Sequence, residues 1–310
     1  MLITGKEKVQ VIIDVHTHLG NIDVFSKGFI NGITEEFVES APEAIKKLYQ
    51  GGFITKIVES VLNDKDGKKF IKQMDEAKID KSVLLMTDFG YEESMDLLEM
   101  FKKNLELKEK YQDRIILFWG IDCRRPASMV RHFENAILHN DVKGLKLYPP
   151  CGYDLDDPRL YPYYQICQKY KIPVLSHTGA SNKDMYNDYD YIYQINEVSK
   201  KFPSLIYIMA HLTTEGLEKR IELCKKNPNI YCDISAFQKE IDTDTLEKKM
   251  KYIFETIPDQ VLFGTDWPLY SMLGKQKRWV DYIQNCPVIS DENKKKLFSK
   301  NFLKIINNEV

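Results

Sequence analysis

Two histidines, His16 and His18, stand two residues apart in Val11-Ile12-Ile13-Asp14-Val15-His16-Thr17-His18-Leu19-Gly20. The run is apolar and β-branched, so it reads as a buried strand, and alternate residues of a strand share a face. Both imidazoles therefore project together near the strand's C-terminal end, which is half of a metal site. His177 closes another apolar run, Ile172-Pro173-Val174-Leu175-Ser176, and His211 closes Leu205-Ile206-Tyr207-Ile208-Met209-Ala210. Asp266 holds the same place in Val261-Leu262-Phe263-Gly264-Thr265-Asp266-Trp267-Pro268. Imidazole nitrogens with one carboxylate suit Zn²⁺ best and would also take Mn, Fe, Co or Ni. Mg²⁺ and Ca²⁺ would want more oxygen ligands. The other two histidines, His132 and His139, fall in a helical stretch from Met129 to His139 and read as surface residues.

Such a set works only if the fold gathers it. Apolar runs at 10–16, 82–88, 115–121, 142–148, 172–177, 205–211, 230–236 and 261–266 read as strands. Amphipathic patterns at 66–79, 94–110, 127–139, 160–170, 190–201, 214–226, 243–256 and 275–285 read as helices between them, and Asp291 to Asn307 as a last one after Ser290. Thr213-Thr214-Glu215 reads as the start of the 214–226 helix and Asn227-Pro228 as its end, while Lys201-Phe202-Pro203 closes the one before it. Eight βα units predict a parallel (β/α)8 TIM barrel formed by one domain spanning residues 1–310. An open doubly wound sheet would carry a Gly-rich phosphate turn after its first strand; this chain has His-x-His there, and neither dinucleotide nor P-loop motif occurs anywhere. In a barrel all strand C-termini meet on one face, so His16, His18, His177, His211 and Asp266 should surround one cavity. Two stretches exceed a normal loop and should cover the mouth. Residues 19–65 carry an expected helix from Thr34 to Tyr49 and a Gly51-Gly52 break; residues 178–190 are polar and Tyr-rich.

The 310 residues suffice for one large core, and a formal net charge of -2 gives no electrostatic argument for nucleic acid or an anionic membrane. No apolar run approaches the roughly 20 residues a membrane-spanning helix needs, and the N-terminus lacks the apolar segment and small-residue site of a signal peptide. Six scattered cysteines without a Cys-x-x-Cys pair read as reduced thiols, with Cys167 and Cys224 in the core; a cytoplasmic protein is expected. A homodimer is expected on the general frequency of two-fold assemblies, though no feature marks its interface.

The assembled pattern resembles the amidohydrolase superfamily over essentially the whole chain: Asp-x-His-x-His on strand one, His on strands five and six, Asp on strand eight. Ile13-Asp14-Val15-His16-Thr17-His18, Ala210-His211 and Phe263-Gly264-Thr265-Asp266-Trp267-Pro268 look like the branch called amidohydrolase family 2, which holds single-metal hydrolases and also non-oxidative decarboxylases such as aminocarboxymuconate-semialdehyde decarboxylase. The resemblance implies one divalent transition metal per chain held by His16, His18, His177 and Asp266, with His211 beside it as a catalytic residue. Binuclear members and TatD-type nucleases place a carbamylated Lys or a Glu on strand four. Here that strand reads Val142-Lys143-Gly144-Leu145-Lys146-Leu147-Tyr148-Pro149-Pro150, without a Glu, and Lys146 would bridge two metals only if carbamylated.

The leading expectation is a metal-dependent hydrolase of a small amide, ester or lactone. Its metal would lower the pKa of a bound water, Asp266 would take the water's proton, and His211 would polarise the substrate carbonyl or orient the nucleophile. The alternative is a metal-dependent carboxy-lyase of a small cyclic or aromatic acid, in which Asp266 or a neighbour delivers a proton to carbon. A non-catalytic binding protein would require lost ligands, and none is lost. Substrate-facing candidates are Lys146, Tyr148, Arg124 and Trp267: a cation at the mouth suits a carboxylate-bearing substrate, and an indole could stack on a planar one. Arg125 and Asp88 also face the mouth by position. Arg residues at such places also commonly pair with a local acid. Asp14 shares a face with both histidines, one layer deeper, and reads as an interior partner of the ligands or of Lys146.

Overall fold

The structure is a computed structural model and describes residues 10–39, 53–90, 95–186, 190–212, 216–241 and 243–307, without the side chains of residues 37, 53, 272 and 273. The extreme N-terminus, the Gly51-Gly52 break and the Thr213-Thr214-Glu215 helix start lie outside these residues.

Eight parallel strands lie in chain order: β1 (Ile13–Thr17), β2 (Lys81–Leu85), β3 (Ile115–Gly120), β4 (Val142–Leu147), β5 (Val174–Ser176), β6 (Tyr207–Met209), β7 (Ile230–Asp233) and β8 (Val261–Leu262). The seam between β8 and β1 is bridged by three backbone hydrogen bonds: Val15 N to Phe263 O at 2.8 Å, Asp266 N to His16 O at 2.7 Å and His18 N to Trp267 O at 2.8 Å. With helices outside every strand, this is the expected (β/α)8 barrel.

The barrel interior is layered. Ile13, Val15, Val83, Leu85, Phe118, Leu175, Ile208, Tyr231 and Leu262 form one buried cluster, plugged from below by Phe302 and Ile305 of the C-terminal helix. Strand β4 adds a glycine to this layer: a Cβ on Gly144 would stand 2.4 Å from the Phe118 ring, so the missing side chain is what admits that ring. The next inward residue on β4 is Lys146, fully buried, where the lining turns polar.

Register departs from simple alternation on β1. A shift between Asp14 and Thr17 breaks its pairing with β2. Ile13 and Val15 lie in the interior layer, and both histidines beyond the shift reach the mouth. Asp14 turns instead to Gln276, on the helix Lys275–Asn285, whose Nε2 donates to it at 2.9 Å. The single shared face expected for Asp14, His16 and His18 is therefore corrected by a bulge.

The helices expected between the strands fall close to their positions; Phe53–Leu62 is a helix that was not expected, and two others depart from the expectation. The helix expected from Thr34 to Tyr49 occupies Lys27–Glu39, because Ser26 Oγ accepts from Phe29 N at 3.1 Å and starts it earlier; 40–52 lie outside the described residues. The last helix starts after Ser290 as expected but contains a π turn at Lys296–Lys300. The Leu297 carbonyl in that turn accepts from Phe263 N at 3.2 Å, tying the C-terminal segment to the closing strand. No helix among the described residues is long and apolar enough to cross a membrane.

Candidate metal centre

His16 lies on β1, and His18 follows it by one residue. His16 Nδ1 stands 2.9 Å from Asp233 Oδ2. A carboxylate only accepts, so Nδ1 carries the proton and Nε2 keeps a lone pair. His18 Nδ1 lies 3.1 Å from the Leu85 carbonyl, which also only accepts, so its Nε2 keeps a lone pair too. Both face one carboxylate oxygen: Asp266 Oδ1 is 3.5 Å from His16 Nε2 and 3.1 Å from His18 Nε2. His16 Nε2 and Asp266 Oδ1 are buried and have no hydrogen-bond partner among the described residues. Two buried acceptors turned on one another without a donor would cost about 1–3 kcal/mol each. A cation between them removes that cost. One donor atom from each of His16, His18 and Asp266 lies within 4.8 Å of the others, so the residues fit a divalent ion.

The backbone strains to make this arrangement. Asp266 and His211 both adopt left-handed conformations, with φ of 54° and 60°. Such conformations cost non-glycine residues about 1–3 kcal/mol and persist where surrounding bonds fix them. Asp266 is fixed by its N–H to His16 O at 2.7 Å and His211 by its N–H to Asp233 Oδ1 at 3.2 Å. Space is cleared by Gly264, where a Cβ would meet His16 Cβ at 2.9 Å.

His177 follows β5 by one residue and lies outside the tight trio. Its ring sits edge-on to His211 at 4.8 Å and to Tyr148 at 5.0 Å between centroids. Its Nε2 donates to Gly179 O at 2.9 Å, so Nδ1 is its lone-pair atom. The peptide between them is braced from behind by buried Arg220, which donates to Thr178 Oγ1 at 2.7 Å and to the Thr178 carbonyl.

Burial sets the protonation states. It pushes His177 down to about 3, helped by the charge of Lys146, and holds His16 and His211 well below the ordinary imidazole range. Neutral imidazoles are the form that binds metals. Burial also lowers Lys146 to about 8, although Asp266 and Asp233 oppose the shift, and raises Asp266 against the pull of His18 and Lys146. No carboxylate among the described residues lies within 4.0 Å of Lys146 Nζ.

The other expected residues are tied to neighbours of their own. Tyr148 is buried, its hydroxyl 2.8 Å from Ser181 Oγ. Arg124 is clamped by the acid two residues upstream, with Nε 2.9 Å from Asp122 Oδ1 and an Nη atom 2.5 Å from Oδ2. Arg125 grips Asp88 in the same manner, at 3.1 and 2.8 Å. Trp267 is buried and packs on Phe70 at 4.6 Å. Asp14 accepts from His16 N at 3.1 Å and Thr265 N at 3.0 Å; it supports the segments that carry the ligands, and burial raises it to about 7. His132 and His139 are exposed, as expected, and all six cysteines are free thiols with Cys167 and Cys224 buried.

Sequence reasoning missed Asp233 and Ser235, both fully buried, which reach His16 and His211. The signal was present: Asp233 ends the apolar run Ile230-Tyr231-Cys232 just as His211 and Asp266 end theirs.

The family model described as amidohydrolase matches residues 13–305. No curated protein matches the sequence. Among solved structures, 5-carboxyvanillate decarboxylase from Novosphingobium aromaticivorans, complexed with manganese and 4-hydroxy-3-methoxy-5-nitrobenzoic acid, is similar at a TM-score of 0.66 and 18% identity, covering 98% of each chain. The 2,6-dihydroxybenzoate decarboxylase from Rhizobium gives 0.66 at 12% identity, covering 97% of this chain and 100% of its own. A probable 2-pyrone-4,6-dicarboxylic acid hydrolase from Acinetobacter baumannii, with citric acid bound, gives 0.61 at 14% identity, covering 96% and 99%. At these identities the likeness is one of fold.

Proposed function

We propose that this chain, which belongs to the amidohydrolase family, is a metal-dependent, non-oxidative decarboxylase of a small cyclic or aromatic acid. The observation that carries the metal is the buried pair His16 Nε2 and Asp266 Oδ1, both acceptors, 3.5 Å apart and without a donor among the described residues. In this reading His16 and His18 hold the ion through Nε2, His177 through Nδ1 and Asp266 through its carboxylate. Zn²⁺ and Mn²⁺ are the ions to test, since the donor set suits the first and a manganese-bound decarboxylase shares the fold.

Decarboxylation is preferred to the hydrolysis expected from sequence. Two of the similar structures are decarboxylases of hydroxylated aromatic acids, and a buried cation, Lys146, stands ready for a carboxylate. The similarity to a probable hydrolase shows that the fold alone does not choose between the two reactions.

The bound ion would supply positive charge to hold the substrate's oxygens and offset charge that develops as the carbon–carbon bond breaks. Lys146 pairs with the substrate carboxylate. Tyr148, edge-on to His177, walls one side of the ring. Asp266 takes a proton from the substrate's hydroxyl and delivers it to the ring carbon that loses CO₂; the C–H bond forms as the C–C bond breaks. His211 orients the substrate beside the ion. Arg124 and Trp267 shape the mouth from their places against Asp122 and Phe70.

The test is CO₂ release from protein loaded with Mn²⁺ or Zn²⁺, using 5-carboxyvanillate and 2,6-dihydroxybenzoate as probes. CO₂ with the decarboxylated phenol is the expected outcome. Hydrolysis of lactones or amides by the same preparation, with both acids untouched, would reverse the preference.

A further inference from the structure

We propose that Asp233 and Ser235 are positioning residues that hold His211 with its proton on Nδ1, so that Nε2 is the atom with which it accepts. The inference deepens the proposed function and rests on its reading of His211 as the residue that works beside the ion.

One carboxylate controls two imidazoles. Asp233 Oδ2 meets His16 Nδ1 at 2.9 Å. Asp233 Oδ1 accepts from Ser235 N at 3.0 Å, from His211 N at 3.2 Å and from the Ser235 hydroxyl in a short contact. A serine hydroxyl has a single hydrogen. With it given to Asp233, Ser235 Oγ can only accept from its remaining neighbours. The nearest is His211 Nδ1 at 2.9 Å; His16 Nδ1 lies at 3.3 Å. An unprotonated His211 Nδ1 would set lone pair against lone pair in a fully buried place. The reverse polarity, with Ser235 donating to His211, would need a protonated Asp233 Oδ1, and that oxygen already takes two backbone N–H groups.

The same carboxylate therefore dictates both rings, His16 directly and His211 through Ser235. It also grips the His211 backbone, which sits at a φ of 60°. The consequence is chemical. A neutral His211 of this form cannot donate a hydrogen bond from Nε2 to a substrate carbonyl. It accepts there, from a substrate hydroxyl or a proton in transit, which suits a hydroxylated acid better than an amide or lactone.

The experiment is ¹⁵N NMR of the full-length, Zn²⁺-loaded protein labelled at histidine, with His211 assigned by the loss of its signals in His211→Asn. The expected wild-type spectrum shows His211 and His16 protonated at Nδ1. Ser235→Ala should release His211 from that form while leaving His16 and the metal content unchanged, and Ser235→Thr should restore it. On any acid the enzyme decarboxylates, Ser235→Ala should lower kcat about 10- to 100-fold with little change in KM. A wild-type His211 protonated at Nε2 overturns the inference, and does so even if the alanine variant does not fold. So does an unchanged His211 form in a folded Ser235→Ala. Failure of the protein to decarboxylate any acid would sink the proposed function alone, since the spectrum reads the proton regardless.

Discussion

Two corners of one barrel mouth hold buried charge in opposite ways. Beyond β2 and β3, each carboxylate oxygen is answered. Asp88 Oδ1 accepts from Gly90 N at 2.9 Å and Arg125 Nη at 2.8 Å, and its Oδ2 from Asp122 N at 2.8 Å and Arg125 Nε at 3.1 Å. Asp122 is filled likewise by Arg124. At the seam of β1 and β8, His16, His18 and Asp266 bring acceptors together and supply no hydrogen between them. Asp88, Asp122 and Asp266 are all buried, so solvent at the carboxylates does not explain the difference. A corner whose charges are all matched is a brace. A corner with lone pairs in surplus is, on the proposed function, the place where a cation would be held.

The comparison breaks most readily at the seam of β1 and β8. Replacing Asp266 or His177 with Ala should weaken metal binding at least 10³-fold, beyond the 10–100-fold that a supporting residue typically costs, with folding retained. Metal titration followed by mass spectrometry checks this, and undiminished binding in both variants would remove the proposed ligand set. The brace should respond the other way. Arg125→Ala leaves Asp88 buried without its partner and should cost about 3 kcal/mol of folding stability at unchanged metal content, measured by urea denaturation. A stable Arg125→Ala that loses metal would erase the distinction.

Lys146 stands between the two behaviours, buried yet without a close acid among the described residues. Lys146→Gln should lower kcat/KM for a carboxylate substrate by about 2 kcal/mol, roughly 30-fold, while metal stays bound. An increase in hydrolytic turnover would assign Lys146 to the wrong reaction. The smallest effect lies beside the brace. Burial pushes the Cys123 thiol up to about 12, so at pH 8 it should alkylate slowly even in excess iodoacetamide. Peptide mapping reads that directly; rapid labelling would show the corner to be looser than its bonding implies.

Much of this was legible before any coordinates. Apolar runs that end in His or Asp carry both the strand and its chemistry, so the eight strands, the barrel and the meeting of His16, His18, His211 and Asp266 could be read together. What escaped depends on contacts between distant segments. The β1 bulge is invisible in an unbroken apolar run, so Asp14 seemed to share the histidines' face. Arg124 stood among the substrate-facing candidates; that its local acid is Asp122 is seen only in the fold. Asp233 obeyed the very rule that found Asp266 and passed unnoticed, because a seventh strand-end acid has no meaning until His16 is seen beside it. The helix at Lys27–Glu39 hid behind two glycines that weaken its helical pattern, and Ser26 alone marked its start.

The central claim is that the surplus of lone pairs at His16, His18 and Asp266 is filled by one cation. Elemental analysis of the purified protein, before and after dialysis against chelator and reloading with Mn²⁺ or Zn²⁺, tests it most directly. About one ion per chain, regained on reloading and lost in Asp266→Ala, is the predicted result. A folded wild-type protein that takes up neither ion at saturating concentration would contradict the account.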